Sequence, residues 1–493
     1  MHAIYSEQHD CLKTEAIDVQ EKSREIAQLV DARKESFIDV SHQVWAFAEP
    51  RFQEYKSSEL QQRVMKELGF RVSADLAGEE TAFIAEWGSG KPIVAILGEF
   101  DALSGLSQEA NVTTHTPIEG AEHGHGCGHN LLGAGSAAAA VAVKEFIEKH
   151  GISGTIRYYG CPAEENAGGK AFLVRDGFFD DCDIAISWHP SQYNMVSPGG
   201  SLANFRVFYT FQGTSAHAAG APHLGRSALD AVEIMNIGVN YMREHMISDA
   251  RVHYAVTDTG GSAPNVVQAR AQVLYAMRAP TVTDVFDLRR RIDNIAQGAA
   301  LITETTVESK QVSSYANTIS NAVIEKQLGV HLSSFVPIEY TDEELAYARS
   351  FTEVITDLDR KNLPTQLKKV LPNKDDYEKW IGAPMFNFLA PTTVLGRGST
   401  DVGDVSWVVP TAQIATATWA PGTPGHAWQV TAQAKSSIAD KAMIAAAKTM
   451  ACATVDFFLD PTLVEAAREQ WLVDLDGQTY PNPLPKDYKP ELW

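Results

Sequence analysis

Cysteine is scarce and odd in number: Cys11, Cys127, Cys161, Cys182 and Cys452 are the five in 493 residues. That excludes a small disulfide-stapled scaffold and favours reduced thiols, hence a cytoplasmic setting. Positive charge is also short. Lysine plus arginine number 41 against 62 aspartates and glutamates, a formal net charge of −21. Nucleic acid and anionic membranes reward basic patches, so neither is an expected partner. A few arginines in one pocket would still suit an anionic small molecule. No uninterrupted apolar run is long enough to cross a bilayer, and the opening MHAIYSEQHDCLKTEAIDVQEKS lacks the apolar centre of a secretory signal. Internal repeats and low-complexity tracts are missing too.

What is present is a change of rhythm along the chain. Residues 17–49 carry apolar positions at helical spacing and read as one or two helices. TAFIAEW and IVAILGEFDAL read as strands, the second continuous enough to be buried on both faces. NLLGAGSAAAAVAVKEFIEKHG is a helix, with Asn130 as expected N-cap and Gly151 as terminator. The strand TIRYYG, a loop CPAEENAGG, a helix near 170–177 and the strand DIAISWHP follow. Such alternation predicts an α/β fold whose mixed, largely parallel sheet is flanked by helices. From 201 to 316 the order becomes β-α-β-β-α-β, the ferredoxin-like unit. The expected division is therefore a catalytic domain in two parts, 1–200 and 317–493, interrupted by an inserted domain at 201–316. The stretch from 385 to 429 reads as strand-like again, and the last fifteen residues, with four prolines, read as an extended tail.

The chemistry-bearing residues cluster at predicted strand ends, where open α/β sheets bind ligands. Glu99 and Asp101 end one strand, Glu164 and Glu165 follow another, and His189 ends a third. Cys127 and His129, within AEHGHGCGHN, stand at the entrance to a helix. Thiolate, imidazole and carboxylate are the donors that suit zinc and its first-row neighbours. Cys127, His129, Glu165 and His189 are four candidate ligands for a two-metal centre, and His426 in WAPGTPGHAWQ is the best fifth. Glu164, beside Glu165, would face the open coordination position as a proton acceptor and donor. Each residue also has a plainer reading: a small buried thiol, a solvated acidic pair, a packed histidine, or a structural zinc knuckle around HGHGCGHN.

HGCGHN, CPAEE, WHP and PGHAWQ, in that order around a ferredoxin-like insert, resemble the aminoacylase and carboxypeptidase family of dinuclear metallohydrolases. The likeness spans about residues 25–470 and is strongest to the amidohydrolase branch that cleaves N-acyl amino acids. GSTDVGDVSWVVPT and SSIADKAMIAAAKTMA are most similar to members acting on p-aminobenzoyl-glutamate. The resemblance implies two divalent ions per subunit, Mn2+ or Zn2+, on Cys127, His129, Glu165, His189 and His426, with Glu164 as general base and acid. It implies that Asp101 orients a ligand and that the insert is a lid and dimerisation domain. His217, in GTSAHAAGAPHLGRSALDA, would stabilise the oxyanion in a second copy of the chain. Asn265 and Arg278 would contact substrate oxygen and carboxylate. The implied activity is metal-dependent hydrolysis of aroyl or arylacyl amino acids, with p-aminobenzoyl-glutamate as type substrate. Indoleacetyl-aspartate conjugates or dipeptides are the alternatives, and a non-catalytic subunit is the non-enzymatic one. The implied partners are a homodimer mate and a second subunit type. One departure stands out: the branch often has aspartate where this chain has Asn130. Residues 107–123 and 335–385 match none of the motifs.

Overall fold

The computed structural model describes residues 19–197, 201–391, 398–486 and 488–492. The reading of residues 1–18, Cys11 included, and the strand-like reading of 392–397 lie outside the described residues.

Along the chain, β1 (Arg71–Leu76), β2 (Glu79–Ser89) and β3 (Ile93–Glu99) precede a short ribbon of β4 (Leu103–Ser104) and β5 (His123–Gly124). Next come β6 (Gly154–Cys161), β7 (Ile184–Ser191) and β8 (Asn194–Ser197), then β9 (Ala203–Gln212), β10 (Arg251–Asp258), β11 (Arg270–Ala279) and β12 (Thr306–Tyr315). β13 (Leu389–Ala390) and β14 (Thr411–Ala417) complete the set. Eight of these form one sheet in the order β1-β2-β6-β3-β7-β14-β8-β13. Its central run β6-β3-β7-β14 is parallel throughout, as is the edge pair β8-β13, and the β1-β2, β2-β6 and β14-β8 pairings are antiparallel. The expected α/β class and mixed, largely parallel sheet are what the chain adopts.

IVAILGE is apolar at nearly every position because β3 is covered on both faces. Val94, Ile96, Ala95 and Leu97 are all fully buried, the first two in one core cluster and the last two in another. The helix His129–His150 covers one face. It begins after Gly128 at φ 75° and stops at Gly151 at φ 62°, whose amide returns to the Glu148 and Ile147 carbonyls. Glycine supplies left-handed backbone at both ends without a Cβ clash. Asn130 is not the N-cap. Its side-chain amide donates instead to Ser41 Oγ at 3.0 Å and to the Ala434 carbonyl at 2.9 Å, tying the helix to two distant segments.

The small residues of this helix let it pack closely. A Cβ at Gly135 would sit 3.0 Å from both Met443 and Trp188. This helix and Ser437–Leu459 are long and apolar enough to cross a membrane by length and composition. Their apolar windows are 89% and 83% buried in the protein, which accounts for that character as core packing.

The inserted strands form a separate four-stranded sheet in the order β10-β11-β9-β12, every pair antiparallel. With the helices Ala228–Met242 and Val282–Thr303 this is the β-α-β-β-α-β arrangement. Phe205, Val207, Tyr209 and Phe211 alternate along β9 into its own core. Two unanticipated elements are the helix Tyr55–Glu67 and strand β1. The tail after Leu475 forms no helix or strand among its described residues, and its Leu484 packs on Phe172.

Candidate metal centre

The carboxyl ends of β3, β6 and β7 bring Asp101, the Glu164–Glu165 turn and His189 together. Glu164 and Glu165 diverge because the backbone between β6 and the next helix is sharply folded. Ala163 has φ 57°, Glu165 is extended at ψ 113°, and Asn166 has φ 71°. His426 arrives from the loop after β14, held by its amide on the Gly126 carbonyl at 3.1 Å.

Ligand-type atoms fall into three sets, each within 4.8 Å: Cys127 with His129 and His189, Cys127 with Glu165 and His426, and Glu99 with His129 and Glu164. Cys127 is common to the first two. Cys127 Sγ lies 3.5 Å from His189 Nε2, and His426 Nε2 lies 3.2 Å from Glu165 Oε1. All five expected ligands thus meet in one place, with Glu164 beside them.

Hydrogen bonds orient the imidazoles. His189 Nδ1 donates to the Pro190 carbonyl at 2.7 Å, which turns Nε2 toward Cys127. His129 Nδ1 is 2.8 Å from Asp101 Oδ1, and the other Asp101 oxygen accepts the Glu165 amide at 2.7 Å. Buried His129 Nε2 and Glu99 Oε2 face one another at 3.3 Å as an ion pair, and neither makes a hydrogen bond among the described residues. Uncompensated buried polar atoms are costly unless something further engages them.

Electrostatics points the same way. Burial works against ionisation of Glu165, yet hydrogen bonding to His426 and the charge of His129 hold its carboxyl at about 2. Burial also opposes the Cys127 thiolate, but the His189 and His129 charges bring the thiol down to about 6. Hydrogen bonds to Cys127 and Glu165 lift His426 to about 10. A thiolate and a carboxylate therefore draw positive charge onto the surrounding imidazoles, the demand that divalent ions would meet. The donor types, the orphaned atoms and the charge balance all fit a two-metal centre. Glu164 behaves differently. Burial, reinforced by Glu99, Glu165 and Asp401, pushes its carboxyl well above the usual range.

Sequence reasoning missed the support beneath the centre. Lys170 is fully buried, with Nζ 2.5 Å from Glu99 Oε1 and 2.6 Å from Asp401 Oδ1. Its setting in AGGKAFLV, among small and apolar residues, was the available signal of burial. The expected substrate residues are dispersed. His217 and Asn265 adjoin on the insert through the Ala218 amide and the Asn265 carbonyl, and both are exposed. No hydrogen bond among the described residues ties either to the metal cluster. The amides of Ala219 and Gly220 donate to His217 Nδ1 at 3.2 and 3.0 Å, which leaves the ring proton on Nε2. Arg278 is half-buried on β11.

Comparison with known proteins gives a consistent result. The family described as Peptidase family M20/M25/M40 matches residues 95–468. One of the subunits of p-aminobenzoyl-glutamate hydrolase from Escherichia coli K12 is 44% identical, covering 96% of this chain and 99% of that one. Among solved structures, an aminobenzoyl-glutamate utilization protein from Klebsiella pneumoniae superposes with a TM-score of 0.56 at 15% identity, covering 90% of this chain and 98% of that one. A dinuclear metal-binding peptidase of Bacillus subtilis gives 0.54 at 14%, with 87% and 99% covered. Both are likenesses of fold.

Proposed function

Because the chain belongs to peptidase family M20/M25/M40, we propose that it hydrolyses the amide bond of N-aroyl or N-arylacyl amino acids, p-aminobenzoyl-glutamate foremost, releasing the amino acid. The observation that carries this reading is the 44% identity, over nearly the whole of both chains, to a subunit of a hydrolase of that conjugate. The full set of candidate ligands gathered at the strand ends supports catalysis over a non-catalytic role.

Cys127, His129, Glu165, His189 and His426 would hold two divalent ions, Mn2+ or Zn2+. Such ions supply Lewis acidity toward the amide carbonyl and make water nucleophilic near neutral pH. Glu164 takes the proton of the attacking water and returns it to the departing amine. Its raised proton affinity suits a group that must hold a proton between two steps. Asp101 fixes both the His129 ring and the Glu165 backbone. The inserted domain acts as a lid and dimerisation surface. His217, with its proton on Nε2, donates to the developing oxyanion in the site of a second copy, and Asn265 beside it contacts substrate oxygen. Arg278 grips the carboxylate of the amino-acid half, where a planar guanidinium is favoured. A cytoplasmic homodimer is the working assembly. The E. coli hydrolase has two different subunits, which motivates testing a second subunit type here.

The test is amino acid release by metal-stripped protein with manganese or zinc restored. The panel is p-aminobenzoyl-glutamate, indoleacetyl-aspartate and dipeptides, with and without a co-expressed partner subunit. Metal-dependent release with preference for the aroyl-glutamate supports the reading. Metal uptake without release from any conjugate in either format overturns it.

A further inference from the structure

Two arginines of the inserted sheet face the catalytic turn. In the β9–β11 register Arg206 stands opposite Ala276 and Arg278 opposite Asn204. Alternation along a strand therefore puts Arg206 and Arg278 on one face as diagonal neighbours. The residues between them, Phe205, Val207 and Met277, point the other way into the core of the insert. Tyr315 on β12 is in register with Asn204, and its hydroxyl donates to the Glu164 carbonyl at 2.8 Å. The arginine-bearing face thus looks at the turn that carries Glu164 and Glu165.

Arg206 reaches that turn directly, donating to the Asn166 side-chain oxygen and, at 3.4 Å, to its carbonyl. A third guanidinium lies near the same turn. Arg51, in the loop after the first helix, lines a cavity of about 640 Å³ together with Ser104, His123, Glu165 and Asn166. Burial lowers the proton affinity of Arg51 and Arg278, and in both the charge of Arg206 lowers it further, so Arg206 is near enough to repel each of them.

Part-buried arginines elsewhere pair with carboxylates: Arg157 with Glu86 and Asp181, and Arg289 with Asp293. Among the described residues, neither Arg206 nor Arg278 forms an ion pair with a carboxylate, although acids outnumber bases by 21. Mutually repelling, partly desolvated guanidinium groups beside a reaction centre are stabilised by a ligand with more than one negative charge.

The geometry points to a second carboxylate site: Arg206, assisted by Arg51, receives the side-chain carboxylate of a dicarboxylic amino acid whose α-carboxylate lies on Arg278. This rests on the hydrolase reading and adds residues for its preference. Selection comes from charge and from the fork geometry of guanidinium to carboxylate. A neutral amide of the same shape would leave Arg206 without its counter-charge.

The experiment compares p-aminobenzoyl-glutamate with p-aminobenzoyl-glutamine, isosteric and neutral at the side chain. In the wild type, kcat/KM should favour glutamate by about tenfold or more, the scale expected when a site is built for a charged hydrogen-bonding group. Arg206→Gln and, separately, Arg51→Gln should bring that ratio toward one, chiefly through KM for the glutamate conjugate. Arg206→Lys should restore part of it. Because the readout is a ratio, general damage to the fold cancels, and Arg51→Gln stands in if Arg206→Gln does not fold. An unchanged ratio in both glutamine variants overturns the second site. If the wild type cleaves neither conjugate, the hydrolase reading fails separately. Calorimetric titration with free L-glutamate and L-glutamine then decides the site, glutamate-selective binding lost in Arg206→Gln supporting it and equal binding overturning it.

Discussion

Asp101 accepts a hydrogen bond from the backbone amide of Glu165 at 2.7 Å through Oδ2. Its other oxygen engages His129. A single buried carboxylate therefore fixes two of the proposed ligands, one by its ring and one by its main chain. Removing it with Asp101→Ala should weaken metal binding about 10–100-fold, the usual effect of losing a residue that orients ligands. Competition with a chelator in titrations of manganese or zinc measures this. Unaltered affinity would sink the orienting role.

Glu164→Gln keeps the shape of the side chain and cannot take a proton. It should bind two metals per chain while turnover falls about 10²–10⁴-fold, the contribution typical of a positioned acid–base group. Metal content and steady-state rates on the same preparation check it. Substantial remaining turnover removes Glu164 from proton transfer.

Lys170 is the cation between Glu99 and Asp401. Lys170→Met leaves two buried carboxylates without their counter-charge and should cost about 3–5 kcal/mol of stability. Urea unfolding followed by tryptophan fluorescence reads the loss. A change near zero would mean that protonation of the two acids compensates fully.

Asp404 supplies a pH dependence remote from the ligands. Burial raises its carboxyl to about 7, against the opposing pull of hydrogen bonds from Tyr480 and the Ala316 amide. Since the folded value lies above the unfolded one, the native state holds a proton that the unfolded chain releases between about pH 4 and 7. Stability from this group is complete below that window and declines as pH rises through it. Asp404→Asn removes the titration. Melting temperatures of the two proteins from pH 4.5 to 8 should show the wild type losing ground to the variant as pH rises. A difference that stays flat with pH contradicts the assignment.

Much of the fold was legible because hydrophobic rhythm reports burial. β3 read as a continuous apolar run since both its faces are covered, and the insert was legible from its β-α-β-β-α-β order. Glu165 and His189 were legible for a related reason: each sits where a strand run stops. What escaped were features defined by distant partners. Lys170 has no visible counter-charge in its own stretch until Asp401, 231 residues later, is placed beside it. Asn130 looks like a helix cap until Ser41 and Ala434 claim its amide. The short β1 carries a weak pattern, with only Leu76 buried.

The position of β14 has a consequence for synthesis. It lies between β7 and β8, so the strand carrying His189 has one open edge until residues 411–417 have been made. During that interval the insert can complete its own sheet, since β9 to β12 pair only with one another. The larger sheet cannot, and an unpaired edge is where chains adhere to one another. Asp401 and His426 emerge over the same late stretch as β14. Closing the edge, neutralising Lys170 and completing the donor set are thus events of one late stage. A nascent chain stopped before it carries a finished insert beside a half-built, adhesive sheet.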